Sequence, residues 1–234
     1  MIIVITGASK GLGKAIAEKF AADEEQHTII LNARNTQYLD ELRSSLSQNF
    51  SHQEVVVKQC DMSLKEEVLA FASFVSDHGT PDILINNAGS FIPGSVYNEP
   101  EGALEEMMNV NLFSAYHLTR ALLPAMMEQR RGHIFNMCSI ASLKAYANGG
   151  AYSISKFALA GFSKNLREEL KPYNIKVTSV YPGAAYTDSW SGSGVDPKRI
   201  MEAKDIADVV HTSAYLSPTA CVEDIILRPQ LGDL

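Results

Sequence analysis

Seven short runs rich in β-branched residues, at residues 2–5, 28–31, 55–57, 83–85, 134–136, 177–180 and 225–227, alternate with longer segments of helical periodicity. This alternation constrains the fold more than any other feature of the chain. It predicts repeated βαβ units and therefore an α/β architecture, a parallel sheet of about seven strands covered by helices on both faces. The punctuation agrees: Gly11 and Gly13 stand at a helix start, Gly79, Thr80 and Pro81 precede a strand, and Tyr181, Pro182 and Gly183 follow one. A length of 234 residues with 46% hydrophobic residues fits one large domain spanning 1–234 better than two small ones.

The formal net charge of -7 argues against a nucleic-acid or anionic-membrane partner, because phosphate-rich surfaces need a basic face. A small molecule is the expected partner. Cys60, Cys138 and Cys221 are odd in number and lack C-x-x-C spacing, so neither a disulfide framework nor a metal site is expected. With no run approaching 18 apolar residues, the expectation is a cytoplasmic protein.

The first strand leads into a turn with Gly7, Gly11 and Gly13 in a G-x-x-x-G-x-G arrangement, followed by a helix. Such a turn lets backbone N–H groups and a helix N-terminus approach a pyrophosphate, although it also serves as a plain tight connection. About 20 residues on, an NAD-preferring protein places Asp or Glu after the second strand to hold the ribose 2′-hydroxyl. Here the stretch reads Asn32, Ala33, Arg34, Asn35. Arg34 and Lys10 offer two cations where an acid is otherwise found, which favours the 2′-phosphate of NADP(H).

Tyr152 and Lys156 are spaced to share one helical face. An adjacent ammonium is expected to lower the phenol's pKa and make it usable as a general acid. Ser139, at the end of the preceding strand, adds a hydroxyl that can orient a carbonyl oxygen beside the phenol.

The motifs TGASKGLG, NNAG at 86–89, NVN ending at Asn111, Ser139, YSISK at 152–156 and PGAAYT at 182–187 occur together in an order that resembles the short-chain dehydrogenase/reductase family. The resemblance implies a Rossmann-like doubly wound fold and hydride transfer between NADP(H) and a small-molecule carbonyl substrate. It implies catalytic roles for Ser139, Tyr152, Lys156 and Asn111: Tyr152 protonates the oxygen, Lys156 also holds the nicotinamide ribose, and Asn111 supports a relay water. Around the cofactor it implies Ser9 and Leu12 in the glycine turn, Asp61 and Met62 beside the adenine, and Asn87, Ala88 and Gly89 along the cleft. Pro182, Gly183 and Ala185 would contact the cofactor too, with Thr187 at the carboxamide. Asp61 reads equally well as a polar residue capping the next helix. Ser114 departs from the family, many of whose members have glycine there.

Ile154, Phe157, Ala158, Leu159, Ala160, Phe162 and Leu166 are not confined to one stripe of their helix. A second subunit is the expected cover for the outer side, as in the family's homodimers and homotetramers. Residues 189–197 read either as a lid or as a surface linker.

The expected activity is NADPH-dependent reduction of a ketone or α-dicarbonyl. The tail VEDIILRPQLGDL and the PGAAYTDSW stretch are similar to bacterial sepiapterin reductase-like members of the family. Trp190 would then pack on a flat ring or serve as a plain lid residue, and Asp188 or Asp233 would pair with a pterin edge or remain solvated. One alternative is a 3-oxoacyl-carrier-protein reductase, with Arg130 and Arg131 facing an acidic carrier. Those arginines also read as a helix C-terminal pair. A non-catalytic NADP-binding regulator is the alternative of another class.

Overall fold

β1 (Ile2–Ile5) shows why the expected runs become strands covered on both sides. Ile3 and Ile5 point into one apolar cluster and Val4 into the other, all fully buried. β2 (Thr28–Ala33) divides in the same way, with Ile29 and Leu31 opposite Ile30, and so does β4 (Ile83–Asn86), with Ile83 and Ile85 opposite Leu84. The first cluster is closed by Phe20 of α1 (Gly11–Ala21), Leu39 of α2 (Thr36–Asn49) and Val210 of α7 (Ala203–Ala214). The second is closed by Phe71 of α3 (Lys65–His78), Leu118 of α5 (Ser114–Gln129) and Leu166 of α6 (Gly150–Leu170). Burying each such side chain contributes about 1.5–3 kcal/mol, so the two-sided pattern fixes which face of each strand meets which helices.

The computed structural model describes residues 1–187, 190 and 194–233. Its main sheet is parallel throughout, in the order β3-β2-β1-β4-β5-β6-β9, where β3 is Glu54–Gln59, β5 Gly132–Met137, β6 Ile175–Pro182 and β9 Asp224–Leu227. The chain winds outward from β1 to β3 and then crosses back to β4. The C-terminal ends of β1 and β4 therefore flank the point where winding reverses, which is where open α/β sheets form a crevice.

All seven expected strands are present, some longer than their apolar runs suggest. β2 continues through Asn32 and Ala33, which pair with Lys58 and Gln59 of β3, and Asn32 Oδ1 accepts from Gly7 N at 2.9 Å. β6 extends to both sides of the expected 177–180 run, carrying Lys176, Thr178 and Ser179 within it. A short pair, β7 (Ala185–Tyr186) with β8 (Met201–Glu202), was not apparent in the sequence. Among the described residues no helix is long and apolar enough to cross a membrane.

α4 (Ala103–Met108) runs into a π-helical turn, Asn109–Phe113, and on into α5. Ser114, the departure from the family's glycine, is buried at this junction and its hydroxyl donates back to Val110 O. A hydroxyl that bonds back to the i−4 carbonyl competes with the regular helical ladder, and here it does so at the widened turn that carries Asn111.

Candidate active site

The crevice is a cleft of about 570 Å³ at the C-terminal ends of the strands. Its floor is the turn after β1. Gly7 has φ +64, and a Cβ there would meet Ala88 Cα at 2.9 Å. Gly13 is closer still, since a Cβ would meet Gly7 O and Asn87 Nδ2 at 2.5 Å each. Only glycine lets these segments lie so close. Gly11, with φ +54, faces Thr187, whose Cγ2 would be 3.2 Å from an added Cβ.

The turn is braced by Thr6 and Asn87, both within the quoted motifs, in a structural role the motif reading did not assign them. Thr6 Oγ1 accepts from Asn87 N at 3.0 Å and Ala88 N at 2.9 Å. Asn87 Nδ2 donates in return to Thr6 O at 2.9 Å and Gly7 O at 3.1 Å. Asn87 therefore shapes the glycine turn as well as lining the cleft. The signal for Asn32 was present as a lone polar residue in an apolar strand, and the partner that explains it lies in a different strand's turn.

At the outer end, Lys10 Nζ sits 4.1 Å from the centre of the Tyr38 ring, within cation–π range. Lys10, Tyr38 and the exposed Arg34 all line the cleft beyond β2, with Ser9 and Leu12 on the glycine-turn side. Asp61 and Met62 line it after β3. Asp61 Oδ1 accepts from Ser63 N at 2.9 Å and Ser63 Oγ at 2.8 Å, so it also stabilises the turn before α3, although Leu64 and not Asp61 is the N-cap.

The lining stops short of several expected contacts. Gly13 lies behind the turn, Ala185 is buried in the first core cluster, and Gly183 packs against Pro229 and Arg228. Pro182, which ends β6, is buried and likewise outside the cleft lining. The Ala185 side chain consequently faces the core and leaves only backbone for a ligand.

Beside Gly89 the second group of residues converges. An added Cβ at Gly89 would lie 3.2 Å from Asn111 Oδ1 and 3.5 Å from Lys156 Nζ, so both side chains pack close against this glycine. Asn111 is buried and fixed, accepting from Ser90 N at 2.8 Å and donating to Ser90 O at 3.1 Å and Ser155 Oγ at 2.9 Å. Lys156 is 5% exposed and donates to Met137 O at 2.7 Å. Its burial lowers the ammonium to about 8, partly offset by Cys138.

Tyr152 lies on the same face of α6, with Lys156 Nζ 5.9 Å from its ring centre. Desolvation pushes the phenol up to about 12, against a hydrogen bond with Ser139 that lowers it. The expected lowering by Lys156 is therefore not what sets this proton: the ammonium is turned toward Met137 O, and burial dominates. Ser139 Oγ accepts from Ala141 N at 3.1 Å, while Ser139 N donates to Ser142 Oγ at 3.1 Å. Phe91 meets the Tyr152 ring edge-on, with centroids 4.9 Å apart.

Further expectations concern the carboxylates offered to a pterin edge, the 189–197 segment and the two arginines. Asp233 forms a bidentate ion pair with Arg228, which occupies the carboxylate that a pterin edge would need. Asp188 lies outside the described residues, as do Ser189 and residues 191–193 of the expected lid. Of that segment, Trp190 N donates to Thr187 O at 2.9 Å. Arg130 takes the left-handed C-cap position of α5 and donates to Pro172 O at 2.8 Å, and Arg131 pairs with Asp82 at 3.1 Å. Both arginines make these contacts while remaining exposed.

Comparison with known proteins gives a consistent result. A description of the short chain dehydrogenases matches residues 1–197. The chain is 33% identical to a sepiapterin reductase from Chlorobaculum tepidum, with 100% of this chain and 98% of the relative covered. Among solved structures it is similar to a metagenomic short-chain oxidoreductase in complex with NADP, at 32% identity and TM-score 0.84, covering 98% of this chain and 97% of the other. L-sorbose reductase from Gluconobacter frateurii, complexed with NADPH and L-sorbose, shares 28% identity at TM-score 0.88, with 97% and 94% covered. With sequence and fold agreeing over almost the whole length, the chain belongs to the short-chain dehydrogenase family of oxidoreductases.

Proposed function

We propose that this protein is an NADP(H)-dependent carbonyl reductase in which Tyr152 is the proton donor. The observation that carries the reading is Tyr152 hydrogen-bonded to Ser139, with Lys156 on the same face of α6, beside a cleft whose outer end presents Lys10 and Arg34. The glycine turn, which lines the cleft through Gly7, Ser9, Lys10 and Gly11 and leads directly into the N-terminus of α1, fits a pyrophosphate. The two cations after β1 and β2 fit a 2′-phosphate, and the solved relatives named above were complexed with NADP or NADPH.

Bound NADPH supplies the hydride that reaches the carbonyl carbon. The chain's own residues handle the oxygen and the proton. Ser139 Oγ, held from behind by Ala141 N–H, keeps its own hydrogen for Tyr152 or a substrate oxygen. The Tyr152 phenol, raised to about 12, stays protonated across the neutral range and is poised to protonate a developing alkoxide. Lys156 would hold the ribose, and Asn111, which lies close beside it at Gly89, would support the relay water. Asp61, Met62 and Thr187 complete the cofactor contacts.

The substrate class we favour is a small or ring-attached α-dicarbonyl, supported by the sepiapterin reductase relative and by the aromatic wall of Phe91 beside Tyr152. Residues 1–234 act as one domain in a cytoplasmic homo-oligomer. NADPH oxidation measured with sepiapterin, diacetyl and an acetoacetyl thioester tests the assignment. The dicarbonyls are expected to give the higher kcat/KM. A thioester preferred by about a hundredfold, roughly 2.7 kcal/mol in transition-state binding, would reverse it in favour of an acyl reductase. Tyr152→Phe is expected to bind NADPH normally and lose about 10²- to 10⁴-fold in turnover. Near-normal turnover would mean another group gives the proton.

A further inference from the structure

α6 begins without a side-chain cap of its own. Its N-cap is Gly149 and its first residue Gly150, so the orphan N–H groups of the first turn have no local acceptor. The acceptor comes from a distant segment: Glu99 Oε2 accepts from Ala151 N at 2.9 Å, and Ala151 directly precedes Tyr152. Glu99 is itself anchored, its N–H donating to Ser95 O at 2.9 Å. Its segment also meets the start of α6 through the Gly94–Gly149 bridge and through Ser95 Oγ, which donates to Asn148 Oδ1 at 3.1 Å.

The glycines at this junction answer to the carboxylate. A Cβ at Gly150 would overlap Glu99 Oε2 and lie 2.7 Å from Gly94 O. A Cβ at Gly94 would lie 2.7 Å from Glu99 Cβ and 2.9 Å from Glu99 Cα. The same segment carries Phe91 against the Tyr152 ring. Ile92 and Tyr152 both pack on the small cluster of Ala103, Met107 and Ala151. A carboxylate at this helix end also favours the positive end of the helix dipole.

We propose that Glu99 is a positioning residue for the reaction, supplying from the 90–101 segment the N-terminal cap that fixes the first turn of α6 and so the place of the Tyr152 hydroxyl. This rests on the reading of Tyr152 as the proton donor. It makes the segment that carries Phe91 part of the device that aims the phenol, because the carboxylate ties that segment to the first turn of α6. A small misplacement of an acid relative to a bound carbonyl is enough to lower turnover by about ten- to a hundredfold.

The test compares Glu99→Ala, Glu99→Gln and Gly150→Ala in the full-length protein, with kcat and KM for a reducible dicarbonyl and NADPH affinity from nucleotide fluorescence. Glu99→Ala is expected to lose about tenfold or more in kcat with NADPH affinity within about twofold. Glu99→Gln is expected to recover most of that loss, because its amide oxygen still accepts from Ala151 N. Gly150→Ala is the independent arm: alanine is the better helix former, yet it displaces the carboxylate, so turnover should fall while helix propensity rises. Unchanged kcat in Glu99→Ala or in Gly150→Ala overturns the proposal, as does a loss that Glu99→Gln shares in full or that NADPH affinity follows equally. Tyr152→Phe measured in parallel separates the two readings, since a fully active Tyr152→Phe removes the donor assignment whatever Glu99 does.

Discussion

Lys10 and Arg34 are ordinary surface cations by composition, and their meaning comes from standing together at one end of the cleft. Charge-assisted hydrogen bonds are worth about 1.5–3 kcal/mol, so Arg34→Ala should lower kcat/KM for NADPH by about tenfold or more and leave NADH use nearly unchanged. Equal efficiencies with the two nucleotides before mutation would contradict the 2′-phosphate assignment. Lys156 gives a second prediction of this kind. Its ammonium is lowered to about 8 by burial, so it is charged below that value and neutral above it. As pH rises through about 8, kcat/KM for NADPH should fall, because this parameter reports the free enzyme. The limb should vanish in Lys156→Ala, whose activity is low throughout; a profile unchanged up to about pH 10 in the unmutated protein would show that the lysine keeps its proton.

Among the helices, α1 and α7 are joined by a knot at the end of the sheet remote from the cleft. The carboxylate of Asp23, just beyond α1, accepts from His27 Nε2 at 3.0 Å and from His211 Nε2 of α7 at 2.7 Å, and the Tyr215 hydroxyl donates to it as well. Burial raises the Asp23 carboxyl, but the hydrogen bonds from Tyr215, His211 and His27 outweigh it and the net shift is downward. A carboxyl lowered in the folded state contributes stability that is fully present above its unfolded value and lost as pH falls through the folded one. Asp23→Ala should therefore cost about 1–3 kcal/mol near neutrality, because partly buried donors lose their acceptor. The difference from the unmutated protein should shrink in acid, below the ordinary carboxylate value. Denaturant unfolding at about pH 7 and about pH 3 checks this, and a difference of equal size at both would contradict it.

For the molecule as a whole, the outer side of α5 and α6 is unexpectedly apolar for a surface. Phe113 is 42% exposed, Tyr116 36%, Ile154 44% and Phe157 45%. Exposed apolar side chains grouped on neighbouring helices are a feature of association surfaces, and we propose that this side is the interface of a two-fold dimer. Ile154 and Phe157 belong to the set that the helical pattern left without a single stripe, whereas Leu159, Ala160 and Leu166 turn inward. Phe157→Glu should produce a monomer by light scattering, with the fold intact by circular dichroism. An unmutated protein that is already monomeric at micromolar concentration would refute the assignment.

What the chain determined by itself was local in origin. Period-two alternation made Ile3 and Ile5 face one layer and Val4 the other, and the requirement for missing side chains placed Gly7, Gly11 and Gly13 at the first turn. The motif residues Tyr152 and Lys156 follow from helical spacing in the same way. Tertiary structure decided what spacing cannot encode. Strand order brings Gly7, Arg34, Asp61 and Asn87 from four different strand ends to one cleft. Glu99 reaches Ala151 across 52 positions of sequence. Burial, which depends on every element packed around a group, raised the Tyr152 phenol where the neighbouring lysine alone suggested lowering. Propensity and pattern act over a few residues, whereas proton affinity and ligand geometry are set by whichever distant atoms the packed core brings into contact.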